Sequence, residues 1–161
     1  MEIERKYLVE SLPENLEGFP HVEIEQGYLC TSPTLRIRRM GNAFILTVKE
    51  KIHSKFTTSI VNREEEFNLS EEAYLSLKAK CEGRMVLKTR YRIPLLNTMP
   101  DAPALTAELD IFHGVHQGLM LVEVEFPSEE MANSFVAPQW CGPDVSNDKR
   151  YRTSWLAFNN I

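Results

Sequence analysis

Glu2-Ile3-Glu4-Arg5-Lys6 opens the chain, and the face to which each of these residues points decides the architecture. Read as a β-strand, the stretch puts Glu2, Glu4 and Lys6 on one face and Ile3, Arg5 and Tyr7 on the other. The two carboxylates then stand about 7 Å apart along the strand, with an ammonium beyond them. Carboxylate oxygens suit a hard cation, and the lysine suits an anion beside it. A single strand of this kind also fits a solvated face of mixed charge, so the weight falls on how often the pattern recurs.

It recurs along most of the chain. The first strand spans residues 2–9, and residues 10–20, with two prolines and a glycine, form a connection. A second strand over 22–30 carries Gly27 as a bulge or bend. The third, 35–40, sets Arg36 and Arg38 against Leu35 and Ile37, and Gly41-Asn42 turns the chain into a fourth strand, 43–50, with Thr47 and Lys49 on one side. After a loop at 51–58, a fifth strand over 59–67 places Glu64 and Glu66 on one face. Ser70-Glu71-Glu72 opens a helix whose apolar side is Tyr74, Leu75 and Leu77, with Gly83 just past its end. A sixth strand, 85–94, sets Lys88, Arg90 and Arg92 against Leu87, Thr89, Tyr91 and Ile93; residues 97–103 form a loop. Strands over 104–112 and 119–127 carry Glu108 with Asp110 and Glu123 with Glu125, joined through a turn containing His113 and His116. A short helix from Ser128 to about Val136, an irregular segment around Pro138, Gly142 and Pro143, and a third helix over about 147–157 complete the reading.

Charges at i, i+2 thus recur on strand after strand, and the intervening positions are mostly apolar. The predicted fold is α+β: a single domain over 1–161, in which eight antiparallel strands close into a barrel with helices packed outside. The helices need apolar partners, so the apolar faces must point outward and the charged faces inward, the reverse of an ordinary barrel. Buried charges must be paired or must coordinate a metal. Acids and bases nearly balance on the inner face, so divalent metal can offset the acids and a polyanion such as a triphosphate can offset the bases. An oxygen-only donor set favours Mg²⁺ or Mn²⁺ over zinc. Arginine forks and lysines suit successive phosphates. The chemistry this permits is activation of water at an end phosphate and stabilisation of charge on the leaving diphosphate. No GxxxxGK[ST] loop is present.

Length and composition agree with one ordinary globular domain of 161 residues, with 43% hydrophobic and 25% charged residues. A net charge of −5 excludes a general nucleic-acid binder of the basic type. Three scattered cysteines suggest reduced thiols, and no secretory pattern or long apolar run is visible, so the expectation is a cytoplasmic protein without membrane attachment.

These motifs resemble the CYTH superfamily, the triphosphate tunnel metalloenzymes. The resemblance rests on the ExExK opening, Leu35-Arg36-Ile37-Arg38, Thr47-Val48-Lys49, Glu64 and Glu66, Lys88-Thr89-Arg90-Tyr91, Glu108-Leu109-Asp110, Val122-Glu123-Val124-Glu125-Phe126 and Asp148-Lys149-Arg150-Tyr151, in order over nearly the whole chain. It implies an eight-stranded tunnel and metal-dependent hydrolysis of triphosphates, and the short chain resembles the small bacterial inorganic triphosphatases. By this resemblance Glu2, Glu4, Glu123 and Glu125 are the principal metal ligands. Lys6, Arg36, Arg38, Lys49, Lys88 and Arg90 hold the phosphates, while Glu64, Glu66, Glu108 and Asp110 place a second metal, water or neighbouring bases. Glu4, Lys6, Lys88 and Glu125 are the residues expected closest to the reaction. The same tunnel would also serve a class IV-type adenylyl cyclase, a thiamine triphosphatase or a polyphosphate-binding module without turnover. Inorganic or nucleoside triphosphate is the expected partner, and outward helices leave room for a homodimer.

Several residues carry two readings. Tyr28 points into the tunnel as a gate or leaving-group contact, or packs at the rim. Lys149 and Arg150 reach the tunnel mouth or are solvated; His113 and His116 bind metal or belong to a turn; Trp140 and Trp155 are packing anchors.

Overall fold

The computed structural model describes residues 1–53, 55–96 and 104–161 of the protein. Most of the 51–58 loop therefore falls within it, while Ser54 and the 97–103 loop lie outside the described residues. The barrel closes on β1 (Glu2–Val9). One edge of β1 pairs with β8 (Met120–Phe126), with Glu4 opposite Glu125 and Lys6 opposite Glu123. The first half of its other edge pairs with β5 (Ile60–Asn68), with Glu2 opposite Asn62. The wall between runs through β4 (Ala43–Lys51), β3 (Thr34–Met40), β2 (His21–Thr31), β6 (Glu82–Pro94) and β7 (Thr106–Phe112), each antiparallel to its neighbours. Among the described residues the closed wall therefore has eight strands. A ninth, β9 (Cys141–Asp144), pairs with the second half of β1, where β5 has left off.

The alternation places the apolar side of the wall outward, as the charge pattern required. Ile3, Tyr7, Val61, Ile93, Leu109, Val122, Val124 and Phe126 form an outer cluster, covered by Ala132 of α2 (Glu129–Ser134) and by Phe135. The Phe135 ring meets Phe126 edge-on at 5.0 Å. Opposite, α1 (Glu71–Lys78) starts at Ser70, whose side chain accepts from the Ala73 N–H, and packs on β3 and β4. Its Tyr74 is buried, with its ring 5.1 Å from Phe44 and its hydroxyl donating to Glu25. Leu75, expected on the apolar side, is exposed. No helix among the described residues is long and apolar enough to cross a membrane.

A second cluster fills one end of the barrel from within. Tyr28, Val86, Phe112 and Leu121 meet Leu156 and Ala157, with Leu8, Tyr151 and Trp155 packed against them. Here the chain departs from the sequence reading. The expected helix over 147–157 is a 3-10 turn at Lys149–Tyr151, then an extended Arg152, then the one-turn α3 (Thr153–Leu156). Asp148 caps the turn by accepting from the Arg150 N–H, and Arg152 at ψ 135° cannot propagate a helix. The short helix expected to reach Val136 stops at Ser134 for the same reason, because Phe135 is extended.

Gly83 also differs from expectation. It lies in β6 rather than beyond α1, at φ +69°, and a Cβ there would stand 2.5 Å from the Ala157 carbonyl. Arg84 N–H donates to that same carbonyl at 2.8 Å, so the glycine lets the C-terminal segment dock. Gly83→Ala is expected to destabilise by more than about 2 kcal/mol, combining left-handed backbone cost with the clash. Gly114→Ala, at φ +68° with nothing within 4 Å, isolates the backbone part at about 1 kcal/mol. Chemical denaturation of the two variants separates these contributions. Gly27 fits its predicted bulge: the register of β2 shifts between Gln26 and Tyr28 against β6, and a Cβ at Gly27 would collide with Met85.

Arg5, on the outer face of β1, fastens the strand that carries Glu4 and Lys6. Its guanidinium donates twice to Asp144 Oδ2, at 3.0 and 2.6 Å, and to the Ala132 carbonyl at 2.9 Å. Asp144 also accepts from Ser146, whose Oγ accepts from the Lys6 N–H. Burial pushes the Asp144 carboxyl up, but the hydrogen bonds of Ser146 and Arg5 outweigh it and hold its pKa below the usual value. A depressed carboxylate contributes stability above its unfolded pKa and loses it as pH falls. Asp144→Asn is therefore expected to cost about 1–2 kcal/mol at pH 7, and the gap to the parent protein should close below about pH 4. Denaturation midpoints from pH 7 to 3 check this.

Candidate active site

The inner face encloses a cavity of about 1070 Å³. It is lined by Glu2, Glu4 and Lys6 of β1, Arg36 and Arg38 of β3, Lys49 of β4, and Glu64 and Glu66 of β5. Lys88, Arg90 and Arg92 of β6, Glu108 of β7, and Glu123 and Glu125 of β8 also line it, as do Glu50, Lys51 and Arg152. The structure thus brings together nearly every residue singled out from the sequence. Asp110 is the one placed in the wall behind the cavity surface, at 2% exposure.

The strand order sets the polarity of the tunnel. In the closed wall β3 and β8 lie four strands apart, so Arg36 and Arg38 stand across from Glu123 and Glu125. Most inner charges have a protein partner. Arg38 meets Glu66 at 2.8 Å, Lys49 meets Glu2 at 2.7 Å and Glu64 at 3.5 Å, and Arg36 meets Glu64 at 3.8 Å. Lys6 meets Glu123 at 3.4 Å and donates to the Tyr151 carbonyl at 2.9 Å. Asp110 accepts from Lys88 at 2.8 Å and from Arg90 through both oxygens, while Arg90 also reaches Glu108 at 2.9 Å.

Glu4 and Glu125 are the exceptions: no cation lies within ion-pair distance of either among the described residues. They are directly opposed on β1 and β8. Burial, then the charge of Glu123, raises Glu4 to about 8. Burial, then Glu2 and Glu108, raises Glu125. Burial and a hydrogen bond with Glu64 raise Glu2. Glu123 behaves in the opposite way: burial opposes its ionisation, but Lys6, Arg90, Lys88 and Lys49 hold it well below the usual range. The acidic corner at β1 and β8 is therefore short of positive charge.

Among the described residues no three acidic, histidine or cysteine side chains already converge as a metal-holding group. The donor set nevertheless fits a hard divalent cation, because all its atoms are carboxylate oxygens and its unpaired members have pKa values that an added cation would lower. The basic side fits an anion for the matching reason. Burial, with Arg36 and Arg90 nearby, lowers Arg38 to about 10, and burial lowers Lys88 to about 8 against the pull of Asp110. The Nε groups of Arg36 and Arg38 are buried without an acceptor among the described residues.

Of the residues with two readings, Tyr28 lines the cavity and also packs in the end cluster, where its hydroxyl accepts from Gln26 at 2.9 Å. Arg150 pairs with Asp148 in solvent and Lys149 is exposed, so neither lines the cavity. His116 binds the Leu156 carbonyl and His113 meets Thr89, so both serve packing. Trp140 and Trp155 pack against the two apolar clusters. Arg152, which lines the cavity, was not foreseen. Its place depends on the C-terminal segment crossing the barrel end, which no local pattern signals.

An antiparallel barrel with apolar residues outside and matched acids and bases inside defines the triphosphate-tunnel class of protein. No protein-family model matches the chain. It is similar to an inorganic triphosphatase of Nitrosomonas europaea, 39% identical, with the alignment covering 98% of this chain and 97% of the relative. It is also similar to an inorganic triphosphatase of Acetivibrio thermocellus, 31% identical over 98% of this chain and 94% of the relative. A solved inorganic triphosphatase structure superposes with a TM-score of 0.66 at 37% identity, covering 99% of this chain and 95% of that one. A putative adenylyl cyclase from Hippeastrum shares the fold at a TM-score of 0.59 and 16% identity, covering 82% of each chain. The chain belongs to the family of these inorganic triphosphatases, within the CYTH superfamily.

Proposed function

We propose that the protein is a divalent-metal-dependent phosphoanhydride hydrolase that converts inorganic triphosphate to diphosphate and phosphate inside the tunnel. The observation that carries this reading is the division of the cavity into a carboxylate corner short of cations and an opposing wall of buried cations. The names of the two relatives point to the same substrate.

Glu2, Glu4, Glu123 and Glu125 would hold Mg²⁺ or Mn²⁺, with Glu64, Glu66 and Asp110 fixing neighbouring charges. When bound, the cation neutralises phosphate oxygens and supplies Lewis acidity. Lys6, Arg36, Arg38, Lys49, Lys88 and Arg90 grip the substrate and hold its phosphorus–oxygen chain in line for attack by water. The bond from the end phosphorus to its bridging oxygen breaks, and charge developing on the leaving diphosphate is met by guanidinium and ammonium groups. Lys88, with its pKa near 8, is a cavity-lining cation suited to exchange a proton near neutral pH. Nucleoside triphosphates are secondary substrates in this reading, and the site of action is the cytoplasm.

The test is phosphate release from inorganic triphosphate, ATP and thiamine triphosphate, each with Mg²⁺, Mn²⁺ or chelator. Fast metal-dependent release from inorganic triphosphate supports the reading. No release from any of the three, with cyclic AMP formed from ATP, would replace it with cyclase chemistry.

A further inference from the structure

Lys6, Arg36, Arg38, Lys49, Lys88 and Arg90 are each within ion-pair distance of a carboxylate. Lys51 and Arg152 also line the cavity and, like Arg92, have no carboxylate that close among the described residues. They come from opposite ends of the sequence. Lys51 follows Lys49 by two residues on the same face of β4, about 7 Å further along the strand. Arg152 is held at the cavity by the C-terminal segment, between the Tyr151 carbonyl that accepts from Lys6 and the buried Leu156. The two are close enough that Arg152, after burial, is what holds the Lys51 ammonium below its usual value. Thr153 and Ser154, which follow Arg152, line the same cavity. Two neighbouring cations without an acid to offset them repel each other, and an anion between them relieves that repulsion.

We propose that Lys51 and Arg152 form a phosphate subsite at this rim, holding an end phosphate of inorganic triphosphate beyond those gripped by the inner cations. The subsite rests on the proposed function for its ligand. The spacing from Lys49 to Lys51 is comparable with the length of a triphosphate, so a chain anchored at Lys49 presents its end to Lys51. Arg152 offers that phosphate two parallel N–H donors, and Thr153 and Ser154 add hydroxyl-bearing residues to the lining of the same cavity. A diphosphate held by the inner cations does not reach the rim. The subsite therefore discriminates by chain length, a property that the inner cations do not by themselves confer.

The experiment is calorimetric binding of imidotriphosphate and imidodiphosphate, whose nitrogen bridges resist hydrolysis, in the presence of Mg²⁺. The proteins compared are the parent chain, Lys51→Gln/Arg152→Gln and Arg152→Lys. The double variant should lose about tenfold or more in affinity for the triphosphate analogue. Its affinity for the diphosphate analogue should shift less than about twofold. Arg152→Lys should recover part of the loss, since it keeps the charge and loses the fork. An equal fall for both analogues would show only a general field effect or a structural defect and would overturn the subsite; no fall for either would overturn it as well. Absence of phosphate release by the parent protein, with chain-length discrimination intact, would count against the hydrolase reading alone.

Discussion

Glu4→Gln is expected to abolish triphosphate turnover while leaving the fold intact. Glu4 is 8% exposed, stands opposite Glu125 and lies in the acidic corner where added positive charge is missing. The amide keeps the shape of the side chain and removes the negative charge, so the corner holds a divalent cation less well. A loss on the order of a hundredfold or more in kcat is the magnitude associated with losing one preorganised electrostatic group. Folding should not suffer. Burial and Glu123 already oppose ionisation of Glu4, so a neutral group is tolerated there and the metal-free melting temperature should hold or rise. Phosphate release at saturating Mg²⁺, beside thermal denaturation in chelator, tests both halves. Undiminished turnover would remove Glu4 from the metal site.

Asp110→Ala should give the largest loss of stability of any single carboxylate in the tunnel wall. Asp110 is the shared partner of Lys88 and Arg90, all three at or below 7% exposure, with contacts of 2.8 to 2.9 Å. Removing it leaves two buried cations side by side. Breaking a buried pair by deleting one partner costs about 3–5 kcal/mol; Lys88 is left without a carboxylate among the described residues, whereas Arg90 keeps Glu108. Glu66→Ala is the matched control. Its partner Arg38 is buried, but the Glu66 side chain is 47% exposed, so the loss should stay near 1 kcal/mol or below. Urea denaturation of both variants measures the difference. Equal losses would mean that water reaches Asp110 and that the triad is no more buried than the rim.

The barrel was legible in the sequence because most of its strands alternate charged and apolar residues. The i, i+2 charges from Glu2 to Glu125 fall on the inner face in the structure, and the apolar residues between them form the outer cluster. Parity is a local property, and a slip of one residue would exchange the two faces, so a charged tunnel leaves its mark on most strands; β2, which contributes Tyr28 and no charge to the cavity, is an exception. The ninth strand left no such mark. Cys141-Gly142-Pro143-Asp144 has no alternation and contains a proline, which is tolerated because this strand pairs only with β1. The C-terminal helix was misread for a related reason: Tyr151, Trp155 and Leu156 pack against the barrel end as expected of an apolar face, but through a turn and a single helical loop.

The sequence by itself determined the closed antiparallel wall, its inverted polarity and the identity of the inner acids and bases, since each follows from side-chain period and charge. Only the tertiary structure decided which charges neutralise one another. Asp110 is committed to Lys88 and Arg90, whereas Glu4 and Glu125 are left facing the cavity without a cation. It also decided that Lys51 and Arg152, far apart in the chain, line one cavity. Pairing depends on distances across a closed barrel, between residues far apart in the chain, and no spacing along the chain encodes those distances.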